Sequence, residues 1–261
     1  MFPIRDDNPH FLTPYVTFGL IAANVLAWLS LQGLGGEPSL SGSVCRLGLI
    51  PAELLGTVPT GTRVELGRGL SCELGGSMSF LTLFTSMFLH GGWMHLLGNL
   101  WFLWIFGNNV EDSMGHARFL VFYLACGFAA GALQVVVEST SVLPMVGASG
   151  AIGGVMGAYV LLYPRVRVHL LFWFGFFFTT FSVPAVFMLG YWFLLQLFEG
   201  TRSIGAQGGG VAFWAHVGGF VAGAVLISAF RREDYVRRHP FYGWSPRHNP
   251  ERAFESRRGW R

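Results

Sequence analysis

The sequence predicts an all-α membrane protein with six transmembrane helices and a long first loop outside the cytoplasm. Of its 261 residues, 52% are hydrophobic and only 12% are charged, whereas a soluble domain carries about 25% charged residues. The apolar residues come in long blocks separated by polar, glycine-rich or charged segments. This pattern indicates a chain that crosses a bilayer several times.

Six apolar segments are the predicted spans, and together they form one membrane domain over residues 11–231. The fifth segment is long for a single helix, so we expect Pro184 to kink it. We also expect the aromatic outer end of this segment to face lipid. It should move together with the following glycine-rich residues 205–210 when a substrate enters between the second and fifth spans. The spans cover residues 11–34, 94–110, 117–137, 149–163, 168–198 and 211–230.

The segments outside the spans differ in length and polarity. Residues 1–10 are a short polar N-terminal segment, and residues 232–261 form an Arg-rich tail that we expect to be weakly structured. The loop over residues 35–80 is long, and a proline at residue 51 suits a short interfacial helix over 50–55. Cys45 and Cys72 both fall in this loop, where they either form a disulfide or stay unpaired.

The distribution of arginine predicts the orientation. With six spans, Arg118, Arg165, Arg167 and the nine arginines of residues 231–261 lie on one side. Because cytoplasmic loops carry the excess of basic residues, both termini are expected in the cytosol of a bacterial cell whose inner membrane holds the protein. A net charge of +3 spread over membrane edges does not indicate nucleic-acid binding.

Three polar residues in the even-numbered spans are expected to lie at one depth in the membrane. A helix rises about 1.5 Å per residue, and the hydrocarbon layer is about 30 Å thick. All three residues therefore lie several ångströms below the outer surface. The distances along the helices are about 24 Å from Ser149 to Arg165, about 22 Å from His216 to Arg231, and about 24 Å from His95 to Glu111.

Stripes of small residues predict which helix faces meet. Ser149 shares its face of the fourth span with Gly153 and Gly157, and His216 shares its face of the sixth span with Gly219 and Gly223. Glycine stripes allow two membrane helices to approach closely, so packing stripe against stripe would bring Ser149 to His216. His95 and Asn99 are four residues apart, and therefore share one face of the second span.

A serine beside a histidine predicts acyl transfer, in which the histidine takes the hydroxyl proton and returns it to the leaving amine. The aspartates lie at the termini and inner edges, at residues 6, 7, 112 and 234, so a dyad of Ser149 and His216 is predicted rather than a triad. The Ser149 backbone N–H at a helix N-terminus would stabilise the oxyanion, with His95 and Asn99 as further donors.

These residues resemble the motifs of the rhomboid intramembrane serine proteases. The matching strings are His90-x4-His95-x3-Asn99, Gly147-Ala148-Ser149-Gly150-Ala151 and Ala215-His216-x2-Gly219-x3-Gly223, within a resemblance that covers about residues 11–231. The resemblance implies a six-helix core, a catalytic dyad of Ser149 and His216, and support from His90, His95 and Asn99. It also implies that single-pass membrane proteins in the bilayer are the substrates, and that no metal or other cofactor is needed.

Two positions depart from the family pattern. Several members carry an aromatic residue that stacks on the histidine where this chain has Gly153, and many have Trp-Arg or Trp-Thr where it has Phe84-Thr85. Two alternatives to a protease stay open. One is a catalytically silent rhomboid-like chaperone for membrane quality control, although both reactive residues are retained. The other is a transporter, which would be expected to contain intramembrane carboxylates or a repeat.

Overall fold

The computed structural model describes residues 2–67, 70–75, 79–204 and 211–243, and the described chain is mostly helical. Its helices are α1 (Tyr15–Ser30), α2 (Ser39–Leu47), α3 (Pro51–Leu54), α4 (Thr82–Thr85), α5 (Trp93–Met114), α6 (His116–Val137), α7 (Ser149–Leu162), α8 (Ala185–Ser203), α9 (Phe213–Phe230) and α10 (Glu233–Val236). Its strands are β1 (Phe2–Asp6), β2 (Thr62–Gly67), β3 (Leu70–Leu74), β4 (Arg167–Phe174) and β5 (Phe177–Pro184).

Within the described residues, two helices, α6 and α9, are long and apolar enough to cross a membrane, with 22 and 18 residues respectively. Two further helices, α1 and α7, are apolar but shorter, with 16 and 14 residues. The predicted spans correspond to α1, α5, α6, α7, α8 and α9, so that five of the six predicted segments contain one continuous helix over most of their length.

The fifth predicted span is the exception, and the prediction of an all-α chain is wrong here. Residues 167–184 form the antiparallel hairpin β4–β5, and only the part after Pro184 is helical. The hairpin turns at Gly175, whose φ of +59° suits glycine. β4 also pairs with β1, which gives a three-stranded sheet in the order β1-β4-β5. Aromatic and β-branched residues fit a pleated strand as well as an apolar helix, which explains the error.

The first long loop is ordered around the predicted short helix, which the structure contains as α3 with Pro51 in its first turn. Cys45 and Cys72 form a disulfide that joins α2 to β3. Thr85, the second residue of the Phe84-Thr85 pair, donates a hydrogen bond of 2.7 Å to the Leu47 carbonyl. The loop is therefore tied to the helices at several points.

The core is built around α7, which packs against α5, α6, α8 and α9. Its closest neighbour is α9, and glycines on both helices make the approach possible. A Cβ atom added to Gly219 would overlap the carbonyl oxygen of Gly150, and one added to Gly223 would overlap that of Gly154. Gly153 and Gly157, on the predicted stripe, face the carbonyls of His216 and Phe220. The sequence prediction omitted Gly150 and Gly154, which lie one residue further along α7.

The acidic pair at the inner end of α5, Glu111 and Asp112, is buried. Asp112 accepts hydrogen bonds of 2.7 Å from the backbone N–H groups of Phe11 and Leu12. Glu111 accepts from the backbone of Val16 and from both the backbone and the hydroxyl of Thr17. Glu111 thus supplies partners for N–H groups in the first turn of α1, which have none within the helix, and Asp112 holds the segment just before it.

The terminal segments pack more closely than expected. His239 is buried with its Nε2 atom 2.8 Å from Asp112 Oδ2, and the Gly243 N–H donates to the Leu162 carbonyl. Residues 232–243 of the predicted tail therefore pack on the membrane domain. Residues 244–261 lie outside the described part of the chain.

Asp6 gives a pH-dependent contribution to stability. It accepts hydrogen bonds from the Tyr159 hydroxyl and from Asn109 Nδ2, and its burial raises the pKa of the carboxyl from 3.8 to about 7. As the pH rises, Asp6 loses its proton at a lower pH in the unfolded chain than in the folded one. Its ionisation should therefore lower the free energy of unfolding between about pH 4 and about pH 7, with no further loss above that range. In detergent, the melting temperature of wild-type protein should therefore fall by a few degrees between pH 5 and pH 8 relative to that of Asp6→Asn. Parallel pH profiles for the two proteins would contradict the prediction.

Candidate active site

A cavity of about 700 Å³ opens where α5, α7 and α9 begin. Ser149 and His216 line it from α7 and α9, and His95 and Asn99 line it from α5. Phe102 of α5 and Trp192 of α8 complete its apolar wall. The structure thus brings four of the predicted site residues to one cavity.

Ser149 is the first residue of α7 and follows Gly147, whose φ of +130° is strained for other residues. The Ser149 Oγ atom lies 2.7 Å from His216 Nε2. Two features of the sequence produce this contact. Helix α7 begins at the serine, and the glycines at which α7 and α9 meet (Gly150, Gly154, Gly219 and Gly223, the glycine seam) let α9 approach closely within one turn of His216. At this distance the imidazole can accept the hydroxyl proton directly.

Helix α8 contacts the His216 imidazole through its second ring nitrogen and through the ring itself. Gln196 Oε1 lies 2.7 Å from His216 Nδ1, and the Trp192 ring lies 5.7 Å from the imidazole at an angle of 36°. The outer end of the fifth span was expected to face lipid, and these contacts correct that expectation for Trp192 and Gln196, whereas Tyr191, Leu194 and Phe198 are exposed. Trp192 thus contacts the imidazole from α8. On α7, the position where several family members carry a stacking aromatic residue is Gly153.

Sequence reasoning missed Gln196 and Trp192, although a signal was present. Gln196 is a polar residue in an apolar segment, which by default indicates a functional or paired group. Trp192 lies four residues earlier, so the two share one face of a helix. The predicted mobile glycines that follow, residues 205–210, lie outside the described part of the chain.

The α5 residues present hydrogen-bond donors to the cavity. The Gly91 N–H donates to His95 Nδ1 at 3.3 Å, which leaves the hydrogen of the neutral ring on Nε2. That nitrogen packs against Gly147, since a Cβ atom there would lie 2.7 Å from it. Asn99 is buried and its Nδ2 atom has no partner among the described residues. Both groups can therefore donate to an oxygen of a bound substrate.

His90 lies behind His95 and contacts it ring to ring, edge to face, with centroids 5.2 Å apart. Its backbone N–H donates to Gln32 Oε1, and its carbonyl accepts from Gln32 Nε2. These bonds tie the segment before α5 to the end of α1. His90 is thus placed to support the position of His95.

Comparison with known proteins gives a consistent result. The family model for the Rhomboid domain matches residues 77–233, more than half of the chain. Rhomboid protease GluP of Bacillus subtilis is 35% identical over 144 residues, which are 55% of this chain and 25% of that protein. Rhomboid-like protease 5 of Toxoplasma gondii is 31% identical over 163 residues, 58% of this chain and 17% of that protein.

A mitochondrial relative, Rhomboid protein 1 of Saccharomyces cerevisiae, is 28% identical over 153 residues, 56% of this chain and 41% of that protein. The chain therefore spans less than half the length of each of these relatives. The family match and the apolar helices agree in describing a membrane protein. By the extent of the domain match, this chain belongs to the rhomboid family.

Proposed function

We propose that this protein is an intramembrane serine endopeptidase that cleaves single-pass transmembrane proteins near the outer face of the membrane. The observation that carries the proposal is the 2.7 Å contact between Ser149 Oγ and His216 Nε2 inside a cavity. The relatives are themselves named as rhomboid proteases, which supports the same class of reaction.

The proposed reaction proceeds through an acyl-enzyme. The Ser149 oxygen attacks the scissile carbonyl carbon while His216 Nε2 takes the hydroxyl proton. The tetrahedral intermediate then breaks its C–N bond, and the imidazolium returns the proton to the leaving amine. A water molecule repeats the two steps on the ester and releases the second product with Ser149 restored.

The donors around Ser149 would stabilise the negative charge that develops on the carbonyl oxygen. The Ser149 N–H lies at the first position of α7, where the helix leaves it without an internal partner and where the helix dipole favours an anion. His95 Nε2 and Asn99 Nδ2 are side-chain donors of residues that line the same cavity. Fixed donors act more strongly in such a site than in water because they need no reorganisation.

The topology belongs to the same proposal. We propose that α1, α5, α6, α7, α8 and α9 are the six spans, with residues 1–10 and the tail from residue 232 in the cytosol. In this orientation the cavity opens toward the outer face of a bacterial inner membrane. The disulfide between Cys45 and Cys72 supports an outer position for the first loop, because disulfides persist in oxidising compartments.

The proposal can be tested by comparing wild-type protein and His95→Ala in liposomes that contain a single-pass substrate. Wild type should cleave the substrate and react with a fluorophosphonate probe at Ser149. His95→Ala should turn over about 10²–10³-fold more slowly, the usual cost of one oxyanion donor. It should retain part of its labelling, because Ser149 and His216 are intact. Asn99→Ala should lose less activity, because His95, whose Nε2 atom lies against Gly147 near the serine, is still present as a donor.

Two results would contradict these assignments. A folded wild-type protein that neither reacts with the probe nor cleaves would favour the catalytically silent chaperone or a transporter. Turnover of His95→Ala at the wild-type rate would assign His95 to structure rather than to the oxyanion site.

A further inference from the structure

Gln196 is a polar side chain on α8, and the residues two positions before and after it face outward. Leu194 and Phe198 on either side of it are 63% and 57% exposed. Gln196 instead turns toward the interior, where its Oε1 atom lies 2.7 Å from His216 Nδ1. A polar group is costly in an apolar span unless it is paired, and here its pairing partner is the candidate general base.

We propose that Gln196 is a positioning residue that fixes the tautomer and orientation of His216, an inference that rests on the proposed function. A neutral imidazole has one N–H and one lone pair, so the nitrogen that carries the hydrogen determines which one can act as the base. Gln196 Oε1 is an acceptor and holds the hydrogen on Nδ1. The lone pair is then on Nε2, which faces the Ser149 hydroxyl at 2.7 Å.

Trp192 adds a second restraint from the same helix. It lies one turn before Gln196, and its ring is 5.7 Å from the imidazole and 6.2 Å from the Phe220 ring. The hydrogen bond restrains rotation of the imidazole in its own plane, and the indole limits tilting out of that plane. Helix α8 therefore performs the orienting role that a carboxylate performs in a serine–histidine–aspartate triad.

An amide suits this position better than a carboxylate. A buried carboxylate would add a charge within the membrane, which is costly unless it is fully paired. The amide oxygen accepts the same hydrogen bond without a charge. It gives less stabilisation to the imidazolium, so we expect its effect to be smaller than that of a triad aspartate.

The test compares Gln196→Met, Gln196→Glu and a control, Phe187→Met. Methionine keeps the length of the side chain but removes the oxygen acceptor, and Phe187 is a 70% exposed residue of the same helix. Gln196→Met should lower kcat and the fluorophosphonate labelling rate by about 10- to 100-fold with little change in KM, which is a partial loss of the 10²–10⁴-fold that general-base catalysis supplies. Phe187→Met should behave as wild type.

Gln196→Glu shows whether the loss in Gln196→Met comes from the missing acceptor at His216 Nδ1 or from altered packing of α8. It keeps an acceptor at Nδ1 and should restore most of the labelling rate. It should also move the acidic limb of the pH–rate profile to higher pH, because a carboxylate favours the protonated ring. The other titratable side chain described in the cavity wall, His95, is unchanged in every variant and should shift no profile.

The outcomes separate this inference from the proposed function. If wild type cleaves and is labelled, while folded Gln196→Met matches it, the positioning role is overturned. If Gln196→Met does not fold, a folded Gln196→Glu with a wild-type pH profile would overturn it equally. A wild-type protein without labelling or cleavage would overturn the proposed function and, with it, this inference.

Discussion

Ser149→Ala and His216→Ala should each reduce cleavage of a single-pass membrane substrate to background, a loss of roughly 10⁴-fold or more. The alanine variant of Ser149 has no nucleophile to form the acyl-enzyme. The alanine variant of His216 keeps the hydroxyl but has no acceptor for its proton. Because the two residues act in one step, the double variant should be no slower than either single variant.

Matched controls distinguish loss of chemistry from loss of fold. Ser228 is an exposed serine of α9 and His10 is an exposed histidine outside the helices, so Ser228→Ala and His10→Ala should cleave at the wild-type rate. Ser149→Ala, Ser228→Ala and His10→Ala should melt close to wild type in detergent, because each removes a single hydroxyl or an exposed ring. His216→Ala should stay folded but melt at a lower temperature, because it leaves the Gln196 amide without its partner. A Ser149→Ala protein that still cleaves the substrate would rule out Ser149 as the nucleophile.

The second large effect is expected from a single methyl group in the glycine seam. Gly219→Ala places a Cβ atom onto the backbone oxygen of Gly150, and a backbone atom within a packed helix cannot move aside cheaply. Helices α7 and α9 must separate or shift, at a cost of about 3 kcal/mol or more. Activity should fall with stability, since His216 lies one turn before Gly219 and Ser149 adjoins Gly150 in sequence.

Gly19→Ala is the matched control for the seam. A Cβ atom on Gly19, within α1, would meet nothing within 4 Å. Alanine is a better helix former than glycine by about 1 kcal/mol, so this variant should melt at or above the wild-type temperature. The melting temperatures of Gly19→Ala and Gly219→Ala should therefore differ by several degrees. Equal melting temperatures and equal turnover would show that α7 and α9 are not in tight contact at Gly219.

Local properties of the chain were sufficient to predict most of the helices and four of the residues that line the cavity. Helix rise is nearly constant, so counting residues placed His95, Ser149 and His216 at one level before any packing was known. Small residues at helical spacing indicated which faces of α7 and α9 would meet. The start of α7 at Ser149 was visible as a change from loop to apolar run.

Only the tertiary structure decided the features that depend on neighbours distant in sequence. The aromatic run over 167–184 could form a helix or a strand by composition, and its pairing with β1 made it a strand. Glu111 is buried because the start of α1 lies against it, and Asp112 because residues 11–12 and His239 do. Gln196 could have faced lipid, the helix seam or the cavity. Which of these it faces is set by the rotation of α8 against α9, because the relative rotation of two packed helices is a property of their whole interface and not of one residue.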